Sequence, residues 1–242
     1  MILNLISIGR VSYSDGLELQ RRLVEARHEG RIGNTLVLLE HPPVLTLGRN
    51  SSRANILASD DFLAYRGVEI HEINRGGDVT YHGPGQLVGY PIFDLRSFTP
   101  RLGAVDYVRR IEEALIRACG DFNVPTTRVA GRTGVWSLAG GGVLEKKIAA
   151  IGVHIARGIT SHGFALNVST DLRDFDLIVP CGIADRAVTS LELEADPAPS
   201  MEAVQNAVAR QFGRVFGHQV LAVESPDELL ASKPAAASAA LG

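Results

Sequence analysis

The amino-acid sequence predicts an α+β fold, in which a central mixed or antiparallel β-sheet is flanked by helices. Two observations carry this prediction. Short β-branched segments punctuated by proline and glycine, as strands are, outnumber the segments with helical spacing. The helical segments also alternate irregularly with the strands, whereas a doubly wound parallel sheet requires a regular βαβ order.

The predicted elements begin with a strand at the amino terminus. Residues 14–28 are predicted to form a helix, because Leu19 and Leu23 lie one turn apart on one face. A second helix is predicted at 104–119, and a third begins at Ser200, a residue type that favours helix starts. Further strands are predicted at 35–40, 44–49, 68–73, 78–82, 87–95, 134–138, 147–158, 159–169, 188–193 and 219–225.

The chain has 242 residues, which allows one large domain or two modest ones. Nothing before Pro197 resembles an interdomain linker, so we expect one domain over residues 1–231, with a helix-strand appendage from about 195 to 231. The alanine-rich tail at 232–242 has low complexity and is predicted to be disordered.

Composition and charge exclude several classes of protein. Apolar residues make up 45% and charged residues 21%, and the net charge of −3 provides no positive field that would attract nucleic acid or anionic lipid. No apolar stretch approaches the roughly 18 residues of a membrane-spanning helix, and the amino terminus lacks a secretion signal. We therefore expect a cytoplasmic protein that binds neither nucleic acid nor membranes.

The first candidate functional segment is the glycine-rich run from Asn74 to Gln86. Its glycines free backbone N–H groups to approach a ligand, and Arg75 and His82 supply polar side chains beside them. The alternative is a pair of glycine turns in a hairpin. The run lacks the glycine spacing of nucleotide-binding motifs, and so does the second glycine run, before Lys146.

Lys147 is a second candidate, because the chain has only three lysines and this one opens an apolar, small-residue strand. Partial loss of solvent would lower the pKa of its amine and allow proton exchange near neutrality. The alternative is a side chain that extends to solvent.

Cys181 is a third candidate, since Pro180 and Gly182 place it at a turn where a thiol can be presented. The alternative is an inert core cysteine, which is the interpretation we adopt for Cys119 in the apolar stripe of the second helix. The two cysteines form no Cys-x-x-Cys pair, so neither a zinc site nor a disulfide framework is predicted.

Histidines are candidate bases for the Cys181 thiol. His82, His154 and His162 each lie in or beside a predicted strand. A single histidine in a strand is more often a hydrogen-bonded structural group than a catalyst, and that alternative stays open for all three.

Six segments of the chain, taken in order, form one pattern. They are HPPVLTLGR (41–49), RGGDVTYHGPGQ (75–86), KIAAIGVHI (147–155), HGFALNV (162–168), LIVPCGI (177–183) and VTSLE (188–192). The pattern closely resembles the lipoyl(octanoyl) transferase family. The match covers most of residues 35–193, and the blocks that contain Arg75 and Cys181 are its most specific parts.

The resemblance implies a catalytic domain with the lipoyl/biotin-ligase fold and acyltransferase activity. It would move an octanoyl group from octanoyl-acyl carrier protein to a lysine of lipoyl domains in 2-oxoacid dehydrogenase complexes and the glycine cleavage H protein, as the first step of protein lipoylation. Cys181 looks like the nucleophile that carries the acyl group as a thioester, and Lys147 looks like its activator. No cofactor and no metal is implied.

The resemblance also implies two walls of an acyl site. One wall consists of Arg75, Gly76, Gly77, Asp78, Val79, Thr80, Tyr81 and His82. The other consists of Ala150, Ile151, Gly152, Gly163, Phe164 and Ala165.

The chemistry of the two residue types agrees with this mechanism. A thiol with a pKa of about 8.5 is only a few per cent thiolate at neutral pH, and a neighbouring cation lowers that pKa. Two other functions remain as alternatives. An ATP-dependent lipoate or biotin ligase would need no cysteine, which the block around Cys181 disfavours. A non-catalytic protein that holds acyl groups or carrier proteins would need neither Cys181 nor Lys147.

Overall fold

The computed structural model describes residues 1–138, 146–179 and 187–231. The glycine run before Lys146 and the alanine-rich tail therefore fall outside the described residues. None of the described helices is long and apolar enough to cross a membrane.

The helices are α1 (Tyr13–His28), α2 (Asp60–Tyr65), α3 (Ala104–Gly120), α4 (Leu191–Glu194), α5 (Met201–Phe216) and α6 (Pro226–Ala231), with short 3₁₀ helices at Arg53–Asn55, Leu95–Ser97 and Leu172–Leu177. The strands are β1 (Ile2–Arg10), β2 (Asn34–Glu40), β3 (Val44–Leu47), β4 (Glu69–Glu72), β5 (Val79–His82), β6 (Gln86–Ile92), β7 (Thr126–Val129), β8 (Arg132–Ser137), β9 (Lys146–Ala156), β10 (Ile159–Asn167) and β11 (Gln219–Ala222).

The described strands form two sheets. Eight of them make a mixed sheet in the order β11-β1-β2-β6-β10-β9-β8-β7, in which β1 is parallel to both neighbours and the other pairs are antiparallel. The other three make a small sheet in the order β4-β3-β5. The predicted α+β class with a mixed sheet is confirmed, but the sequence analysis did not separate the small sheet from the large one.

The large sheet has a core on each face, because side chains alternate along a strand. Leu36 and Leu38 of β2 point to the face covered by α3 and α5, whereas Val37 and Leu39 point to the face covered by α1. Helix α5 contributes Phe212 to the first of these cores, and β11 pairs with β1 at the sheet edge. The carboxy-terminal part that we expected as an appendage thus packs on the main sheet. Cys119 lies in the same core with no exposed surface, as its helical stripe predicted.

The predicted strand at 188–193 is wrong. Residues Leu191–Glu194 form helix α4, and its Glu194 carboxylate accepts hydrogen bonds from Thr189 Oγ1 (2.6 Å) and Ser137 Oγ (3.1 Å). Local side-chain hydrogen bonds of this kind compete with extended structure. The apolar alternation of this short segment therefore did not determine its conformation.

Candidate active site

A cavity of about 290 Å³ is lined by strands of both sheets. Every described residue that the sequence analysis assigned to the site lines this cavity, with the exception of Tyr81. The assigned residues that line it are Arg75, Gly76, Gly77, Asp78, Val79, Thr80, His82, Lys147, Ala150, Ile151, Gly152, Gly163, Phe164 and Ala165. The fold thus brings together two sequence regions that lie far apart.

Glycines allow the two walls to approach each other. Gly152 on β9 faces Gly163 on β10, and a Cβ added to Gly152 would lie 2.9 Å from the carbonyl oxygen of Gly76. The Gly76 N–H donates a hydrogen bond of 3.1 Å to the carbonyl of Val153, also on β9. The glycine-rich segment therefore rests directly on the large sheet, and larger residues at these positions would separate the walls.

Arg75 anchors this segment to the small sheet. Its guanidinium donates to the carbonyl and the hydroxyl oxygen of Thr46, both at 2.8 Å, and to the Gly76 carbonyl at 3.1 Å. The side chain is buried. A buried guanidinium that satisfies backbone carbonyls fixes the loop and also brings a positive charge to the cavity wall.

Lys147 lies at one end of the cavity. It is half-buried, and its Nζ lies 4.8 Å from the centre of the Trp136 ring, within the range of a cation–π contact. Its N–H donates to the Ala187 carbonyl (3.1 Å), and its carbonyl accepts from the Thr189 N–H (3.0 Å). Backbone hydrogen bonds on both sides of Val188, which also lines the cavity, therefore fix the position of the lysine.

Cys181 lies outside the described residues, but the chain on either side of residues 180–186 meets the cavity wall. On the upstream side, the Val179 N–H donates to the Asn55 carbonyl at 2.8 Å. The Asn55 amide in turn donates to both carboxylate oxygens of Asp78, at 3.0 and 2.9 Å. On the downstream side, Val188 pairs with Lys147 of β9.

The opposite end of the cavity consists of buried rings. Tyr13 stacks against His82 with 6.1 Å between ring centres and packs edge-on against His41 at 5.0 Å. The Tyr90 hydroxyl donates to Nε2 of His41 (2.6 Å), whose Nδ1 donates to the Val11 carbonyl (2.8 Å). Tyr13, Tyr90, His82 and His162 all line the cavity.

Burial keeps these rings uncharged. It lowers the pKa of His82 to about 3 and the pKa of His41 and His162 to about 4, and the charge of Arg75 adds to the effect at His82 and His162. Burial also raises the pKa of Tyr90 far above its ordinary value. At neutral pH these histidine and tyrosine side chains are therefore neutral.

The three candidate histidines occupy different places. His82 and His162 line the cavity, whereas His154 does not. His82 Nδ1 donates to the Gln86 side-chain oxygen (2.7 Å), and Gln86 donates to Asn167 (2.9 Å), so its ring is held in one orientation. A base with a pKa near 3 or 4 accepts a proton poorly at neutral pH, which makes these rings weak candidates for activating a thiol.

Tyr81 lies on the other side of β5 from the cavity. Its hydroxyl donates to the Asp174 carboxylate at 2.5 Å, and Arg66 donates to the same carboxylate at 2.7 Å. The ring packs in the core of the small sheet. Alternation along the strand places Tyr81 opposite its neighbours Thr80 and His82, and that alternation was visible in the sequence.

The sequence analysis did not identify several of the residues that line the cavity. Val88 and Tyr90 share one face of β6, so the period-two pattern of that strand was the signal that could have found them. Tyr13 starts α1 and Trp136 lies in β8, and neither carries a local pattern that points to the cavity. Both reach it only through the tertiary fold.

Comparisons with known proteins find relatives over nearly the whole chain. The sequence of residues 12–213 matches the protein family described as the lipoyl protein ligase A/B catalytic domain. The chain is 77% identical to the octanoyltransferase of Acidobacterium capsulatum, over 95% of this chain and 96% of that protein. It is 56% identical to the octanoyltransferase of Koribacter versatilis, over 95% of this chain and 90% of that protein.

Solved structures resemble the chain in fold. Lipoate-protein ligase A bound with ATP superposes with a TM-score of 0.71 at 18% identity, over 95% of this chain and 92% of that one. The bi-partite lipoate protein ligase system of Thermoplasma acidophilum gives a TM-score of 0.68 at 19% identity, over 94% and 89% of the two chains. At these identities the likeness shows a shared fold.

Proposed function

Because this chain belongs to the family of the lipoyl protein ligase A/B catalytic domain, we propose that its cavity holds an octanoyl group in transit through a thioester on Cys181. The chain is an octanoyltransferase of protein lipoylation. We assign octanoyl-acyl carrier protein as the donor. As acceptors we assign lipoyl domains of 2-oxoacid dehydrogenase complexes and the glycine cleavage H protein, and we place the reaction in the cytoplasm.

One observation carries the proposal: a single cavity has a lysine at one end and neutral, buried rings at the other. An alkyl chain favours the neutral end, since each buried CH₂ contributes about 0.8 kcal/mol. The reacting carbonyl then lies toward Lys147, where the chain that follows residues 180–186 pairs with β9.

In the first step, the Cys181 thiolate attacks the carbonyl carbon of the donor thioester. A new bond forms between the Cys181 sulfur and this carbon, and the bond to the carrier sulfur breaks. Lys147 takes the thiol proton before attack and returns it to the departing carrier thiolate. Exchange between two thioesters is nearly balanced in free energy.

In the second step, the neutral amine of the acceptor lysine attacks the same carbonyl carbon. An amide bond forms, the bond to Cys181 breaks, and the amine proton passes to Lys147, which restores the starting protonation of the Lys147 and Cys181 pair. This step is downhill because an amide is more stable than a thioester. The donor thioester therefore supplies the driving force, with no nucleotide.

The first test is intact-protein mass spectrometry after mixing with octanoyl-acyl carrier protein. We expect one octanoyl adduct, removed by hydroxylamine, on the peptide that contains Cys181. The Cys181→Ala variant should lose the adduct and the Cys119→Ala variant should keep it, because Cys119 is buried in the core. An adduct on Cys119, or one that persists in Cys181→Ala, would contradict the assignment.

The second test separates transfer from ligation. With a lipoyl domain as acceptor, octanoyl-acyl carrier protein should serve as donor in the absence of nucleotide and in the presence of a chelator. Free octanoate with ATP and magnesium should give little product. If the free acid with ATP is the better donor system and Cys181→Ala retains that activity, the ligase interpretation replaces this one.

A further inference from the structure

His162 lies between the acyl cavity and two neighbouring cavities of the described structure. Two further cavities, of about 650 and 570 Å³, lie beyond the acyl cavity, and His162 lines all three. The acyl cavity shares no other described residue with either of them. His162 therefore forms the partition between the acyl cavity and these two outer cavities.

The partition is held at two points. The His162 N–H donates to the side-chain oxygen of Gln20 on α1 (2.7 Å), and its Nε2 lies 2.9 Å from the side-chain oxygen of Asn74. Because a carboxamide oxygen only accepts, Nε2 carries the proton in this contact. The residue is 6% exposed and its ring is neutral at neutral pH, so an alkyl chain can pack against the ring.

The partition also lies at the correct end of the cavity. His162 on β10 pairs with Val153 on β9. The Lys147 side chain extends along β9 to the level of Ala149, because a Cβ at Gly134 would lie 3.5 Å from Lys147 Cε and 2.7 Å from the Ala149 carbonyl oxygen. The strand rises roughly 13 Å from Ala149 to Val153. An acyl group whose carbonyl lies near Lys147 and whose chain follows the wall at Ala150 and Gly152 points toward His162. The terminal methyl group is the part that would meet the ring.

We propose that His162 determines the acyl chain length that this enzyme accepts, by closing the tail end of the acyl cavity. The inference rests on the proposed function, since it takes the octanoyl group to lie in this cavity. Chains longer than octanoyl would contact the imidazole. Removing it would join the acyl cavity to the 650 Å³ cavity and give longer chains room.

The backbone conformation of His162 allows a glycine substitution to test this proposal. Its φ of 55° lies in the left-handed region, where glycine is unstrained, so His162→Gly removes the ring without backbone strain. Arg157 offers a matched control, because it has a φ of 51° and lines the 650 Å³ cavity but not the acyl cavity. Arg157→Gly thus reproduces the change in backbone freedom without opening the partition.

The experiment measures kcat/KM with octanoyl-, decanoyl- and dodecanoyl-acyl carrier protein, using a lipoyl domain as acceptor. For His162→Gly we expect the dodecanoyl-to-octanoyl ratio of kcat/KM to rise on the order of tenfold or more, the scale on which apolar pockets discriminate added methylenes. Arg157→Gly should keep the ratio of the unmodified protein.

Other outcomes separate the two proposals. An unchanged ratio in folded His162→Gly, or an equal loss with all three donors, would overturn the role of His162 while transfer itself stands. A rise of equal size in Arg157→Gly would also overturn it. Failure of the unmodified protein to transfer octanoyl from any of these donors would instead overturn the proposed function.

Discussion

At its Lys147 end the acyl cavity contains a cation held over Trp136 and fixed by backbone hydrogen bonds, whereas at its His162 end it contains neutral rings held by side-chain hydrogen bonds. In the proposed mechanism, the first end needs a group that gains and loses a proton. The second needs groups that keep one protonation state while an alkyl chain is bound. The proposed mechanism thus assigns proton transfer and acyl recognition to different ends of one pair of strands.

Arg75 contributes to this separation from the cavity wall beside the rings. Its charge lowers the pKa of both His82 and His162, in the same direction as burial does. Its own hydrogen bonds go to the carbonyls of Thr46 and Gly76 and to the Thr46 hydroxyl. The arginine therefore supports the loop and adds to the effect of burial in keeping the His82 and His162 rings neutral.

The largest expected effect is a loss of activity when the charge at the lysine end of the cavity is removed. Lys147→Met keeps the side-chain stem but removes the cation, so kcat/KM for octanoyl transfer should fall by about 10²- to 10⁴-fold. The pH midpoint of Cys181 alkylation should rise toward the free-thiol value of about 8.5. Burial raises the pKa of Cys119 to about 12, so that thiol does not alkylate in the same range.

Lys146 is the control for this prediction, because it is the adjacent residue and its side chain is exposed. Lys146→Met should leave both the rate and the alkylation midpoint unchanged. An unchanged midpoint in a folded Lys147→Met variant would move the role of activator to another group.

The second effect is a loss of stability when acid protonates the histidines at the neutral end of the cavity. His41, His82 and His162 have folded pKa values of about 4, 3 and 4, below the unfolded value near 6.5, so the unfolded chain binds more protons below pH 6.5. Stability is fully present above pH 6.5 and should fall toward pH 4 by about 1.4 kcal/mol per pH unit for each histidine. Urea unfolding at several pH values measures this slope.

A pair of histidine variants assigns the slope to the ring cluster. His41→Gln removes one buried titrating ring that does not line the cavity, and it should reduce the slope. His28→Gln removes an exposed ring and should not. A stability that stays flat between pH 6.5 and 5 would contradict the burial argument.

The third effect concerns the wall that joins the two ends. A Cβ at Gly89 would overlap the Phe164 ring, which lines the cavity. Gly89→Ala should therefore cost about 1–3 kcal/mol of stability through overpacking and raise the KM for the octanoyl donor. Gly9→Ala, on β1 with no atom near the added Cβ, should change neither quantity. Equal effects of the two variants would mean that the ring does not need this space.

The sequence predicted most of one wall and the lysine, because those residues lie in contiguous motifs. Arg75 to Asp78 and Ala150 to Gly152 were assigned as runs, and each run lines the cavity. Tyr13 and Trp136 could not be assigned in this way. They come from separate elements and reach the cavity only after α1 and β8 have packed on the sheet.

The same reasoning explains why local patterns failed for the small sheet. Strands β3, β4 and β5 have sequences like those of the larger sheet. A four-residue segment does not determine which other strand it pairs with. The choice depends on long-range contacts, such as the Arg75 hydrogen bonds to Thr46 that hold the loop against β3. The sequence therefore predicted the strands but not their division into two sheets.

The smallest expected effect on activity tests Tyr81 against its neighbours in β5. Tyr81→Phe removes a hydroxyl that donates to Asp174, and this carboxylate keeps its hydrogen bond from Arg66. The loss of one buried hydrogen bond should cost about 1–3 kcal/mol of unfolding free energy. Octanoyl transfer should stay within about twofold of the unmodified protein, because the side chain packs in the small-sheet core and not on the acyl cavity. Measuring thermal stability and kcat/KM on the same preparation distinguishes the two roles. A tenfold fall in kcat/KM with unchanged stability would show that Tyr81 contacts the acyl group during the reaction, and that the side of β5 opposite the cavity takes part in it.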